Sequence, residues 1–281
     1  MGRIIAMTGT TGGLGTIIAE KLVEKGYSLV FIDRNRNKSA KNAERIRAKF
    51  NDASITLLTC DLESFESVKH MANTLKKIKV DTLLLGSGIY SAPLKKCSTG
   101  YNNVFQVNFV SQYFLARYLS ETCPTLKHVV AIGSVAHNYS KIDEKDIDFS
   151  EREQTSKIYG NSKRFLMFSL YEYFKNEKWI DLSIAHPGVT YTNMTGHYPK
   201  AINWLVKIGI KLFFPSPRKA VRSIIRAVDD KCGYMEWIGP SILGVWGKPK
   251  KSVLKTCSKE ESEAIGRLSD DIYKNQLTFD N

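Results

Sequence analysis

A tyrosine and a lysine four positions apart, Tyr159 and Lys163, are the residues of this chain best suited to exchange a proton. Positions i and i+4 share one face of a helix, so the phenol and the ammonium would lie side by side. Tyrosine has an ordinary pKa of about 10 and is a poor base at neutral pH, but a neighbouring ammonium stabilises the phenolate and lowers that pKa. Such a pair can pass a proton to or from a carbonyl or alcohol oxygen.

A glycine-rich stretch near the beginning of the chain, Met7–Gly15 (MTGTTGGLG), indicates a second kind of site. It lies between a short apolar run and a segment with apolar residues at helical spacing, which predicts strand, tight turn and helix. Glycine lets a phosphate approach the backbone closely, and the N–H groups that begin a helix favour bound anions. We therefore predict a dinucleotide-binding turn with contacts from Gly9, Thr11, Gly13, Leu14 and Gly15.

Acidic residues follow the next two predicted strands. Asp33 closes the second strand, eighteen residues beyond Gly15, where an acid is expected to meet the adenosine ribose. Asp61 and Leu62 follow the third strand, where a side chain can reach the adenine. Together with the glycine turn, they outline the adenosine end of a nucleotide site.

These residues require a scaffold in which strands and helices alternate. Strands are predicted at 3–8, 27–32, 54–59, 82–85, 128–132 and 182–185, and helices at 14–26, 39–50, 65–77, 103–121 and 156–176. Apolar strands that alternate with helices of this length predict an α/β fold, a doubly wound parallel sheet of Rossmann type. The charged segment 141–155 is predicted to be a surface loop, and the polar last twenty-five residues are predicted to be loosely held.

The motifs resemble those of the short-chain dehydrogenase/reductase family, over about residues 3–195. Thr8–Gly15 is similar to the family's TGxxxGxG turn, and Tyr159–Lys163 to its YxxxK motif. The resemblance implies that Tyr159 is the proton donor or acceptor and that Lys163 lowers its pKa and holds the nicotinamide ribose. It further implies that Ser134, directly after the fifth strand, positions the substrate oxygen, and that Asn108 anchors a proton-relay water.

Two further segments carry the resemblance. Residues 186–192 (HPGVTYT) are similar to the family's PG segment, which implies nicotinamide contacts from Pro187, Val189 and Thr192. The family's NNAG sequence is replaced by Leu85–Gly88 (LGSG), in which only Gly88 matches. The two missing asparagines normally steady the central sheet. We interpret His137 and His186 as packed structural residues.

The cofactor is predicted to be NAD or NADP, with NAD slightly favoured. Asp33 can hold both ribose hydroxyls of NAD and would repel a 2′-phosphate by about 1–4 kcal/mol, depending on solvent screening. Arg34, however, stands where relatives that prefer NADP often carry an arginine. Both cofactors therefore remain open at this point.

Composition narrows the function classes. The chain has 281 residues and a net charge of +13, which is compatible with nucleic acid, an anionic membrane surface or an anionic ligand. RNA-binding and zinc-finger motifs are absent, so we expect no nucleic acid partner. The five cysteines lack metal-like or redox-like spacing, which predicts reduced thiols, no metal site and a cytoplasmic location.

One domain is predicted for residues 1–281, with 189–250 as a substrate-lid and pocket region. Within it, 201–214 (AINWLVKIGIKLFF) is too short to span a bilayer. It is predicted to be a lid helix, with a membrane-surface helix or a subunit contact as alternatives. The segment that follows Ser134 resembles the retinol dehydrogenase and protochlorophyllide reductase branch, which implies an apolar substrate. A homodimer or homotetramer is compatible with the family.

These observations predict an NAD(P)-dependent oxidoreductase that transfers hydride between nicotinamide and a carbonyl or alcohol substrate. The catalytic residues would be Ser134, Tyr159, Lys163 and Asn108. The alternative is a dinucleotide-binding sensor or scaffold without turnover, a reading supported by the altered Leu85–Gly88 segment.

Overall fold

The computed structural model describes residues 3–90, 93–188 and 215–278. Its strands form one eight-stranded sheet in the order β3-β2-β1-β4-β5-β6-β7-β8. The first seven strands run parallel and β8 pairs antiparallel with β7. The strands are β1 Ile4–Thr8, β2 Ser28–Asp33, β3 Ile55–Thr59, β4 Thr82–Leu85, β5 His128–Ile132, β6 Asp181–Ala185, β7 Glu236–Ile242 and β8 Trp246–Val253.

Helices cover both faces of this sheet, as the α/β prediction requires. They are α1 Gly15–Glu24, α2 Arg36–Arg47, α3 Phe65–Ile78, α4 Asn103–Phe105, α5 Ser111–Thr122, α6 Thr155–Phe174, α7 Pro217–Ala220, α8 Arg222–Asp229 and α9 Lys259–Thr278. A π-helical segment, Gln106–Val110, joins α4 to α5, and a 3₁₀ segment, Val135–Tyr139, follows β5. Helix α2 begins earlier than predicted because the side chain of Asn35 accepts a hydrogen bond from the Lys38 N–H and caps it.

The core is divided between the two faces by the alternation of side chains along each strand. In β4, Leu83 and Leu85 belong to the cluster beneath α3, α5 and α6, whereas Leu84 belongs to the cluster beneath α1 and α8. In β5, Val129 and Val130 divide in the same way. Because both faces are covered, the inner strands contain no polar face, which explains their continuous apolar sequences.

The C-terminal part of the chain differs from the prediction of a loosely held tail. Residues 259–278 form helix α9, which packs against α6. Ile265, Ile272 and Tyr273 lie on its buried face. The apolar residues recur at helical spacing, so burial of this face outweighs the polar composition of the segment.

The ends of the parallel strands bring the predicted site residues to one edge of the sheet. Strand β1 pairs with β2 on one side and with β4 on the other, so the strand order reverses there. Ligands of such sheets bind in the crevice outside the carboxyl ends of the strands at this reversal. Val189, Thr192 and the predicted lid 201–214 lie outside the described residues.

Candidate active site

The glycine turn after β1 is shaped by close backbone packing. Gly9 has a φ of +77°, and a Cβ there would lie 2.9 Å from Ser87. A Cβ on Gly15 would lie 1.9 Å from the carbonyl oxygen of Gly9, whereas one on Gly13 would meet no atom within 4 Å. Gly9 and Gly15 are therefore required by the turn itself, and Gly13 faces open space. Leu14, which precedes α1, has no polar side chain to cap the first N–H groups of the helix.

A cleft of about 600 Å³ extends from this turn along the ends of β1, β2, β3 and β4. Its walls include all the residues predicted for the phosphate and adenosine ends, together with Gly88. They are Gly9, Thr11, Gly13, Leu14, Gly15, Asp33, Arg34, Asp61, Leu62 and Gly88. The structure thus places these ten predicted residues around one cleft whose position and length are suited to a dinucleotide.

Asp33 is held by the protein more tightly than the sequence indicated. Its side chain is buried and accepts hydrogen bonds from the Thr10 hydroxyl, from the Ser39 hydroxyl at 2.9 Å, and from the Thr11 N–H and hydroxyl at 3.2 and 3.3 Å. An ionised carboxylate offers about four acceptor sites. Asp33 therefore ties the glycine turn to helix α2, and a ribose hydroxyl would have to replace one of these donors.

Acidic and basic side chains pair with each other near the adenosine end. Arg34 is exposed and forms an ion pair with Glu63 at 3.1 Å, and it lies 4.0 Å from Asp61. Glu63 also pairs with Lys95. Since the Arg34 guanidinium already has an acidic partner, it is only partly available to an additional anion.

Asn108 lies in the π-helical segment and is fully buried. Its side-chain amide donates to the carbonyl oxygen of Ile89 and to the Ser162 hydroxyl, both at 2.9 Å, and its side-chain oxygen accepts from the Ile89 N–H at 2.8 Å. The side chain therefore fixes the loop after β4 against helix α6. A π-bulge is a recurrent feature of functional sites, and here it turns the asparagine toward that loop.

Gly88 is the point at which Asn108 and Lys163 approach the cleft. A Cβ at Gly88 would lie 3.4 Å from the side-chain oxygen of Asn108 and 3.6 Å from the Lys163 ammonium. The Lys163 Nζ also donates to the carbonyl oxygen of Ile132, at the end of β5, at 2.9 Å. Burial of Lys163 lowers its pKa to about 8. A larger residue at position 88 would separate the cleft from the buried lysine.

Tyr159 and Ser134 lie together at the end of β5. Burial raises the pKa of Tyr159 to about 12, while a side-chain hydrogen bond to Ser134 acts in the opposite direction. Ser134 also accepts from the Ala136 N–H at 3.2 Å, which begins the 3₁₀ segment and orients the hydroxyl. Tyr159 is therefore protonated at neutral pH and is a potential proton donor.

A buried glutamine, Gln112, makes stabilising hydrogen bonds of the kind expected from the two missing asparagines. The Thr8 hydroxyl accepts from the N–H groups of Gly86 and Ser87 at 2.9 and 3.0 Å. It donates to Gln112 at 3.4 Å, and the amide of Gln112 donates in turn to the Ser87 carbonyl at 3.0 Å. The LGSG segment therefore has its own network, and it is not evidence of a degraded site.

The two histidines near the site have structural partners, in agreement with their interpretation as packed residues. His137 bonds to the Ser134 carbonyl at 2.6 Å and to the Thr256 hydroxyl at 2.7 Å. His186 stacks on Trp237, with ring centroids 3.9 Å apart, and burial lowers its pKa to about 3. A neutral, enclosed imidazole of this kind is not placed to act as an acid at neutral pH.

Sequence reasoning missed Tyr90 and Gln112. The Tyr90 ring meets that of Tyr159 edge to face, with centroids 5.0 Å apart, and it lines the cleft next to Gly88. The only sequence signal for Tyr90 was its place two residues beyond Gly88. Gln112 carried a weaker signal, a polar residue four positions beyond Asn108 on the same helical face.

Comparisons with known proteins assign the chain to a family. The family model described as short chain dehydrogenase matches residues 3–203. An uncharacterised oxidoreductase of Schizosaccharomyces pombe is 29% identical over 217 residues, which cover 70% of this chain and 63% of that protein. Retinol dehydrogenase 12 of Mus musculus is 26% identical over 202 residues, which cover 69% of this chain and 63% of that protein. The chain thus spans less than two thirds of the length of these relatives.

A solved structure extends the comparison to almost the whole fold. The structure of an uncharacterised protein from Mycobacterium paratuberculosis superimposes with a TM-score of 0.76 at 21% identity, and covers 97% of this chain and 93% of that one. At this identity the likeness shows the fold alone. Because the family model matches well over half of the residues, the chain belongs to the short-chain dehydrogenase/reductase family, near its retinol dehydrogenase-like branch.

Proposed function

We propose that the protein is an NAD(P)-dependent oxidoreductase that transfers hydride between a nicotinamide and a carbonyl or alcohol carbon. Two observations carry this proposal. Tyr159 is hydrogen-bonded to Ser134 at the end of β5, and Lys163 lies beside Gly88, a wall of the cleft that begins at the glycine turn. Structures of similar fold contain NADPH, in a protein from Sphingobium yanoikuyae, and NAD, in one from Burkholderia phymatum. These bound nucleotides support the cofactor class.

The residues of the cleft fit such a cofactor. The open space at Gly13 and the uncapped start of α1 can accept a pyrophosphate, and Gly88 leaves room beside Lys163. Pro187, with Val189 and Thr192, would hold the carboxamide of the nicotinamide. When bound, the cofactor supplies or accepts the hydride.

The proton is handled by this chain's own side chains. Tyr159, whose raised pKa keeps it protonated at neutral pH, donates its proton to the carbonyl oxygen during reduction, while the Ser134 hydroxyl holds that oxygen. Lys163 in its charged form stabilises the resulting phenolate, because opposite charges at short distance favour ionisation. Asn108 supports the loop after β4 and carries the relay that reprotonates the pair.

We further propose a preference for NAD. Asp33, Asp61 and Glu63 surround the adenosine end, and the guanidinium of Arg34 already pairs with Glu63. A 2′-phosphate would bring additional negative charge toward three carboxylates, which is unfavourable. Exposed Lys38 lines the same part of the cleft and is the residue that would favour NADP.

The substrate is proposed to be an apolar alcohol or aldehyde. Two of the curated relatives are named for retinol and polyprenol, and the polyprenol dehydrogenase of Homo sapiens is 22% identical over 222 residues. Correspondingly, we propose that the protein is a cytoplasmic enzyme that acts on a small molecule and requires no metal. In the helices that the structure describes, no segment is both long and apolar enough to cross a bilayer.

A binding titration followed by turnover tests the proposal. The protein is titrated with NADH and NADPH, with nicotinamide fluorescence as the readout, and then assayed against apolar aldehydes and ketones. We expect NADH to bind more tightly, and Tyr159→Phe to abolish turnover while binding is retained. The matched control is Tyr118→Phe, since that hydroxyl bonds to Asn73 on the surface, away from the cleft.

The outcomes separate the candidate functions. Turnover that persists in Tyr159→Phe removes the proposed mechanism. Binding of a nucleotide without any turnover over the aldehyde and ketone panel favours a sensor or scaffold. If neither nucleotide binds at millimolar concentration, the glycine turn is only a turn and the enzyme proposal fails.

A further inference from the structure

The turn between β7 and β8 exposes large apolar side chains. Leu243 is 85% exposed, Ile242 is 55% exposed and Trp246 is 39% exposed, and we refer to these three residues as the hairpin tip. Isolated exposed apolar residues are ordinary, but three within one turn form a patch. The hairpin tip is therefore a candidate interaction surface.

The backbone conformation of the turn is energetically unfavourable for a leucine at position 243. The Val245 N–H donates to the Ile242 carbonyl at 3.0 Å, and both central residues have positive φ, 50° for Leu243 and 65° for Gly244. Asparagine, aspartate or glycine are preferred at such positions, because a side chain like leucine is strained there. A leucine that is both strained and exposed contributes little to the fold, so its benefit is expected to come from an external partner.

The strand that leaves the hairpin tip is strongly basic. Residues 215–256 contain nine lysines and arginines and three acidic residues. Two of those acids already form ion pairs, Asp229 with Lys25 outside this segment and Asp230 with Arg226 within it. Lys248 and Lys250 are exposed on β8 and form no ion pair with any residue in the described ranges. An apolar tip bordered by uncompensated cations matches the surface of an anionic lipid bilayer.

A second copy of the chain fits this surface less well. Strand β8 is at the end of the described sheet, so it could in principle pair with β8 of another molecule. That pairing would place the lysines of both strands against each other, and facing like charges are destabilising. The charge of β8 thus opposes self-association and favours an anionic partner.

The hairpin tip also lies next to the reaction site. A Cβ on Gly188 would lie 3.0 Å from the carbonyl oxygen of Gly244, and a Cβ on Gly244 would lie 3.6 Å from the side chain of Val135, the neighbour of Ser134. A bilayer in contact with the tip would therefore be adjacent to the mouth of the site.

From the exposed tip, its unfavourable turn geometry and the basic strand, we propose that the β7–β8 hairpin docks on anionic phospholipid membranes. The docking is independent of the reaction catalysed. Leu243 and Trp246 enter the headgroup region, and Lys248 and Lys250 contact the anionic headgroups.

The test is co-sedimentation of the full chain with phosphatidylcholine vesicles that contain about 30% phosphatidylserine. Leu243→Asn should weaken partitioning by about tenfold, because one buried leucine side chain is lost, and asparagine suits the positive φ so the turn is retained. Lys248→Gln with Lys250→Gln should weaken it by about thirtyfold, at roughly 1 kcal/mol per lysine. The control is Trp179→Gln, which removes a side chain that is 79% exposed in the loop before β6.

Binding that requires phosphatidylserine, decreases with salt and is lost in the hairpin variants but not in Trp179→Gln supports the proposal. Failure of the wild-type chain to bind these vesicles overturns it, as does equal binding by the hairpin variants. A dimer in solution that Leu243→Asn dissociates, without vesicle binding, would identify a second copy as the occupant and likewise overturn it.

Discussion

Replacing Arg164 with methionine tests how helix α6, which carries Tyr159 and Lys163, is held in place. Arg164 follows Lys163 on α6, and its guanidinium is buried. It donates to both carboxylate oxygens of Glu261 on α9, at 2.8 and 2.6 Å. It also donates to the carbonyl oxygens of His137, at 3.0 Å, and Thr256, at 2.9 Å. One side chain thus connects the helix of Tyr159, the turn after Ser134 and the C-terminal helix.

The magnitude follows from what the substitution leaves behind. Burial opposes ionisation of Glu261, but the hydrogen bonds and charge of Arg164 outweigh that effect and lower the pKa of Glu261. Without Arg164 a largely buried carboxylate loses its partner, which typically destabilises a protein by about 3–5 kcal/mol. This loss is a large part of the free energy of unfolding of a typical domain, which is roughly 5–15 kcal/mol.

A double-mutant cycle separates the ion pair from the other two hydrogen bonds. In Arg164→Met with Glu261→Leu the unpaired charge is removed, so part of the loss should be recovered. The carbonyls of His137 and Thr256 still lack their donor, at about 1–3 kcal/mol for each group that water cannot reach. We expect the double variant to lie between the wild type and Arg164→Met.

Urea unfolding followed by circular dichroism measures all four members of the cycle. The control is Lys21→Met, whose ion pair with Glu24 is exposed on both sides and which should change stability by less than about 1 kcal/mol. If Arg164→Met is within about 1 kcal/mol of the wild type, the buried network does not hold the helix and the reasoning is refuted.

Three further predictions concern the cleft and its surroundings. Gly13→Ala should fold normally yet bind NADH more weakly, whereas Gly15→Ala should be destabilised by at least about 1–3 kcal/mol because its Cβ meets the turn backbone; calorimetry and nucleotide titration compare the two. Carbonyl reduction should decrease above pH 8 as Lys163, with its pKa lowered to about 8, loses its proton, and a pH–rate profile that stays flat to pH 10 would contradict this. Burial lowers the pKa of His128 to about 4 and that of His186 to about 3, so their neutral forms stabilise the fold above the unfolded pKa of about 6.5. Below that pH the free energy of unfolding should decrease by up to about 1.4 kcal/mol per pH unit for each histidine. In urea titrations at pH 5 and 7, His186→Phe should reduce this dependence on pH.

The sequence was sufficient to place most of the site because chemistry and topology constrain each other. Parallel strands end at one edge, so residues that directly follow strands, such as Asp33, Asp61, Gly88 and Ser134, must meet there. Tyr159 and Lys163, four positions apart, lie side by side as soon as their segment is helical. None of these inferences depended on knowing how a side chain packs.

What escaped prediction was the pairing of polar side chains across the fold. The donors around Asp33 come from a turn and from helix α2, and no local pattern states that Thr10 and Ser39 will reach the same carboxylate. Gln112 bonds to Thr8 over more than a hundred positions of sequence. Such partnerships are decided by tertiary packing, which a linear motif does not encode.

Strand β8, at the edge of the sheet, was not predicted from the sequence, and the reason is different. Strand β8 (WGKPKKSV) contains lysines, a glycine and a proline, a composition that argues against a strand in a sheet interior. At an edge the same residues are tolerated, and they discourage pairing with another chain. Helix α9, in contrast, carried a readable signal in its buried isoleucines, and its polar exposed face obscured it.

The titration behaviour of the site explains why its parts must act together. Burial raises the pKa of Tyr159 to about 12 and lowers that of Lys163 to about 8, so both shifts disfavour charge. A phenolate forms readily only if a positive charge is close by, and the charged form of Lys163 is favoured in turn when the tyrosine ionises. The same enclosure that makes each group reluctant to ionise alone also strengthens their mutual attraction, because a low local dielectric increases it. In the proposed mechanism, Asn108 and Gly88, which bring the loop after β4 against Lys163, therefore contribute to the proton chemistry by keeping that enclosure intact.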